Sequence, residues 1–99
     1  MNSMSELLNG YVTDTVKRLV DNPNEVDISI TVSTKSVIVQ IKSMKDDLGK
    51  IIGKKGRTID ALKVITLAIK NTHFPRDIRR VSLEIIEDES SSFLDLDKQ

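Results

Sequence analysis

The chain has no cysteine and a single histidine among its 99 residues. A disulfide framework, a thiolate metal site and a cysteine nucleophile are therefore excluded, and an ordinary zinc site lacks its ligands. Aromatic residues are almost as scarce. Tyr11, Phe74 and Phe93 are too few for the stacking platforms of RNA-recognition motifs or OB folds. No apolar run approaches the roughly 20 residues that span a bilayer. The start, Met1-Asn2-Ser3-Met4-Ser5-Glu6, has neither the basic nor the apolar region of a secretory signal. A cytoplasmic protein without membrane contact is expected. The length suits one domain with one core, so a binding site must lie on its outside.

A net excess of charge is also missing, since fifteen basic residues balance fifteen acidic ones. Their distribution is uneven. Residues 1–41 carry three basic and five acidic side chains, residues 42–80 eleven and four, and residues 81–99 one and six. Nucleic acid responds to local potential rather than to the molecular sum. The middle of this chain is basic by seven charges and both flanks are acidic.

What is present is periodicity. Leu8, Val12, Val16, Leu19 and Val20 recur every three or four residues and predict an amphipathic helix over about 4–20. Asp21-Asn22-Pro23-Asn24 stops it. Asp27 to Ser33 alternates and is rich in β-branched residues, and Val37, Val39 and Ile41 alternate again beyond a polar turn, so two strands form a hairpin. Asp46 and Asp47 are placed to cap a short helix that ends at Gly53. A longer helix follows over about 57–72, with Ile59, Leu62, Thr66 and Ile69 on one stripe. After a loop at 72–76, Val81, Leu83 and Ile85 mark a third strand. The order is α-β-β-α-α-β. A right-handed crossover between strands two and three makes this an α+β fold: a three-stranded mixed sheet with its helices on one face.

The informative stretch runs from Gly49 to Ile59, where Gly53 and Gly56 flank Lys54 and Lys55 between two helices. Glycine allows a sharp turn and lets a phosphate approach the backbone. The opening turn of the next helix offers N–H groups and a partial positive charge. Two lysines at the tip add full charges, and Ile51, Ile52 and Ile59 are candidates for an apolar floor under bases. A Walker loop fits poorly, because it needs four residues between its glycines and Ser or Thr after its lysine.

Ile51-Ile52-Gly53-Lys54-Lys55-Gly56-Arg57-Thr58-Ile59 resembles the I-G-x-x-G-x-x-I signature of KH domains. The element order is that of the bacterial, type II form. Leu19 to Pro23, together with Asp47 to Arg57, is similar to the small stand-alone KH proteins of the KhpA family, and the resemblance covers about residues 5–87. It implies non-catalytic binding of single-stranded RNA, in regulation or ribonucleoprotein assembly. It also implies a homodimer, or a heterodimer with a larger KH-containing protein of the KhpB kind. The expected contact residues are Lys50, Ile51, Ile52, Gly53, Lys54, Lys55, Gly56, Arg57 and Ile59. An adaptor acting mainly through dimerisation is the alternative, and the surplus of apolar residues on the helix at 57–72 bears on it.

No catalytic residue, metal or cofactor is implied. Ser5 and Thr13 have no histidine–acid constellation, His73 reads as a loop residue, and capping accounts for Asp46 and Asp47 better than Mg²⁺ does. Arg76, Arg79 and Arg80 either extend an RNA track or form a solvated turn. The expected division is a KH domain over 1–86 and an acidic, serine-rich tail over 87–99, whose charge would compete with RNA for the basic face.

Overall fold

The structure, a computed structural model, describes residues 3–86. The segment 87–99, and with it the expected competition with RNA, lies outside the described residues. Helix α1 (Ser3–Leu19) leads through a turn at Pro23–Glu25 to strands β1 (Asp27–Val32) and β2 (Ser36–Lys42). A short helix α2 (Leu48–Ile52) and a long helix α3 (Arg57–His73) follow, and β3 (Arg80–Ile86) closes the fold. The α-β-β-α-α-β order and the α+β class are those that the hydrophobic periodicity predicts, with boundaries within about two residues.

β2 is the central strand. It pairs antiparallel with β1, Ile30 opposite Val39, and parallel with β3, Val39 opposite Leu83. Val37, Val39 and Ile41 alternate into the core and have no exposed surface. Met4, Leu8, Val12 and Val16, four residues apart on α1, bury the same face of that helix. A one-residue slip of register would turn the buried row of β2 out to solvent, so the alternation fixes the pairing. The hairpin turn is held by Ser33, whose backbone N–H donates to Ser36 O (2.8 Å) and whose hydroxyl accepts from Ser36 N (3.2 Å).

Two acidic residues hold connections together. Asp47 is buried, and it does not cap α2 with its side chain as the sequence suggests. Its carboxylate reaches back to the end of α1, accepting from the backbone N–H groups of Asp21 and Asn22 and from Asn22 Nδ2 at 3.0–3.2 Å. Burial by itself would raise its pKa. Those three hydrogen bonds and the charge of Lys50 more than offset burial and hold it below the ordinary value. Capping needs only local sequence, whereas this contact spans about 25 residues and is invisible to local reading.

Asp77 does similar work between α3 and β3. Lys70 is buried, and its Nζ donates to Asp77 O at 2.6 Å. Arg79 donates to the Asp77 carboxylate through its backbone N–H, Nε and Nη2. These bonds from Arg79, with the charges of Arg79 and Lys70, hold Asp77 far below the ordinary carboxylate value, against the effect of burial. A carboxyl whose pKa is depressed by folding stabilises the fold above its unfolded value and loses that contribution as pH falls toward the folded value. Melting temperature is therefore expected to drop as pH falls below about 3.8. Asp77→Asn should lower it at neutral pH and flatten the acid dependence; an unchanged acid profile in thermal melts would show that the network adds nothing.

Candidate nucleic-acid interface

The site residues lie where α2 hands over to α3. Gly53 ends α2, its N–H donating to Gly49 O at 2.9 Å, and leaves with φ 80° and ψ 171°. Lys54–Gly56 forms one tight turn, closed by the Gly56 N–H donating to Gly53 O at 3.1 Å. Within it Lys55 has φ 57°, the sole non-glycine with positive φ among the described residues. A lysine in the left-handed region stores strain of about 1 kcal/mol or more, and such strain gathers at ligand-binding turns. Gly56, with φ 74° and ψ 14°, opens α3, and no side chain caps that end. The Arg57 N–H closes the turn by donating to Lys54 O, and the start of the 17-residue helix, with its partial positive charge, stands beside two lysines.

Lys54, Lys55 and Arg57 are exposed and make no ion pair among the described residues. Lys50, one turn earlier, is drawn toward Asp21 at 3.4 Å, and both side chains are exposed. An exposed pair of this kind is worth little and yields readily to another anion. The expected apolar floor is narrower than the sequence suggests. Ile51 is wholly buried in the core cluster with Val12, Ile41 and Leu62, so it anchors the loop from beneath and offers no surface to a ligand. Ile59 is half-buried against the same cluster. Ile52 is 37% exposed, and Met44, in the connection leading into α2, is 42% exposed.

Two further assignments change. Lys70 counts toward the basic segment, yet it is buried and committed to Asp77. Arg79 is likewise tied to Asp77, while Arg76 and Arg80 remain exposed. The arginine cluster is thus split between a structural and a surface role. Ile78, at 94% exposure, is an apolar feature that sequence reading passed over, since no periodic element contains it. No helix among the described residues is long and apolar enough to cross a membrane.

A six-element α-β-β-α-α-β chain with a G-x-x-G turn between its second and third helices is a type II KH domain. The family model described as the KhpA/KhpB KH domain matches residues 9–85, and the chain belongs to that family. It is 42% identical over 73 residues to the RNA-binding protein KhpA of Chlamydia trachomatis, covering 74% of this chain and 88% of that protein. To the RNA-binding protein KhpA of Clostridium acetobutylicum it is 37% identical, over 71% of this chain and 88% of the relative. The Leifsonia xyli protein of the same name is 31% identical, over 78% and 93%.

Proposed function

We propose that this chain binds single-stranded RNA without catalysing any reaction on it, and that Gly53-Lys54-Lys55-Gly56 is the clamp on its backbone. One observation carries the reading. Two lysines with no ion pair among the described residues stand on a strained, glycine-bounded turn that opens a 17-residue helix. Stability gains nothing evident from that arrangement, whereas a phosphate gains two full charges, the positive end of the helix and close backbone approach together. Lys50 and Arg57 extend the positive track on either side. Ile52, with the exposed edge of Ile59, gives bases an aliphatic surface. The names of the relatives, RNA-binding proteins, agree with this chemistry.

A titration with single-stranded RNA at several salt concentrations tests it. If the clamp neutralises about three phosphates, log K falls against log salt with a slope of roughly −2. Duplex RNA of equal length should bind more weakly, because its bases are closed to a narrow aliphatic site. A flat salt response, or tighter duplex binding, would count against the clamp.

A second role in self-association, or in pairing with a larger KH-containing protein, has its own support. The outward side of α3 is apolar through its middle: Val64 is 66% exposed and Ile65 48%. Beside it Tyr11, Leu19, Ala61, Leu62 and Ile65 line an apolar hollow of about 150 Å³ between α1 and α3. Exposed apolar faces mark protein-contact sites, and two copies related by a two-fold axis would cover this one on both subunits at once. The expected species in sedimentation at micromolar concentration is a dimer, and Val64→Glu should convert it to monomer without loss of helix content. A monomer in the unaltered protein would remove the homodimer.

A further inference from the structure

The far end of α3 carries a second cleft that the clamp does not use. Its volume is about 420 Å³, and it lies between α3 from Lys63 to Asn71 and the segment Asp77 to Val81 that leads into β3. Lys63, Leu67 and Asn71 come from the helix, and Ile78, Arg79 and Arg80 from the other wall. Lys63 and Arg80 are exposed and free of ion pairs among the described residues. The acidic group at the cleft, Asp77, is already met by Lys70 and Arg79, so the residual potential is positive.

We propose that this cleft is a second contact site for the same single-stranded RNA, engaged by nucleotides beyond those held at the clamp. The proposal rests on the RNA reading of the clamp. Charge complementarity favours a polyanion. The pairing of a protruding aliphatic side chain with free cations repeats the chemistry of Ile52 beside Lys54 and Lys55. Ile78 is 94% exposed, yet its neighbours are pinned: Asp77 N–H donates to Phe74 O, and Arg79 N–H to Asp77 Oδ1, both at 3.0 Å. A pre-ordered apolar contact costs little conformational entropy when a base settles on it. The two sites share α3. Lys63 and Leu67 follow Arg57 by six and ten residues, about 9 and 15 Å along the helix at 1.5 Å per residue. A strand leaving the clamp spans that distance in a few nucleotides, and linking two weak sites raises affinity through effective concentration.

The test compares oligouridylates of four and twelve nucleotides. A twelve-nucleotide strand offers a four-nucleotide clamp about nine frames, so ninefold is the gain expected without a second site. The unaltered protein should exceed that gain several-fold. Lys63→Ala/Arg80→Ala should fall back to the statistical gain and keep its tetranucleotide affinity. Its salt slope on the longer strand should be shallower by about 1.4, for two phosphates lost. Equal gains in the two proteins would overturn the proposal. So would Ile78→Ser altering sedimentation while leaving the length dependence intact, because the cleft would then be a protein-docking face. If Lys54→Asp/Lys55→Asp leaves tetranucleotide binding unchanged, the clamp reading fails instead, and the length dependence still decides the cleft.

Discussion

Replacing Lys54 and Lys55 together by aspartate is expected to weaken binding of single-stranded RNA at least a hundredfold while leaving the melting temperature within a few degrees. Each charge-assisted hydrogen bond to phosphate is worth about 1.5–3 kcal/mol, so losing two accounts for a hundredfold or more before repulsion is counted. Stability should hardly move, for three reasons. Both side chains are exposed and make no ion pair among the described residues, so no contact is lost. Lys55 occupies the left-handed region, with φ 57°, and aspartate tolerates that region better than lysine does. Either carboxylate would also sit near the positive end of α3, a placement worth about 0.3–1 kcal/mol. Circular dichroism and fluorescence anisotropy on one preparation check both halves. Unchanged affinity with an unchanged fold would mean that the turn is not the binding site.

The features that could be read from sequence are those set by local pattern. Spacing of three and four placed α1 and α3, alternation placed β1, β2 and β3, and the glycine pair placed the turn. Those periodicities arise because each element must bury one face, so sequence and structure report the same constraint. What escaped was the environment of individual charged residues. Asp47 reads as a helix cap and is instead a buried acceptor for a segment about 25 residues away. Lys70 reads as part of a basic surface and is instead sealed against Asp77. Ile51 sits in the resembling motif and reads as a ligand contact, yet the one-sided packing of α2 turns it wholly into the core. In each case the residue type was visible and its partner was not, because the partner is set by tertiary packing. Ile78 belongs to no periodic run, and only its exposure draws notice.

The two glycines of the turn look equivalent in sequence, and the structure separates them. Gly53 has φ 80° and ψ 171°, a region essentially closed to residues with a Cβ. A methyl group built there would collide with Thr58, at its Oγ1, its Cβ and its backbone N. The backbone N belongs to α3 and cannot move aside without unwinding the first turn of that helix. Gly56 has φ 74° and ψ 14°, ordinary left-handed geometry, and a methyl group there would point into open space. Gly53→Ala therefore combines a conformational penalty of about 1–3 kcal/mol with a steric clash. Gly56→Ala meets a conformational penalty alone, about 1 kcal/mol. At roughly 4–8 °C per kcal/mol for a domain of this size, Gly53→Ala should melt more than about 10 °C below the unaltered protein and Gly56→Ala about 5 °C below it. Gly56→Asn should lie closer still to the unaltered protein, because asparagine adopts left-handed geometry readily. Thr58→Ala in the Gly53→Ala background should recover only part of the loss, since it removes Oγ1 and leaves the backbone N and Cβ in place. RNA affinity should follow the same ranking, because the proposed clamp relies on this turn to present Lys54 and Lys55. Equal melting temperatures for the two alanine variants would mean that the turn relaxes to another conformation, and that the left-handed geometry at Lys55 and Gly56 is not what presents the lysines.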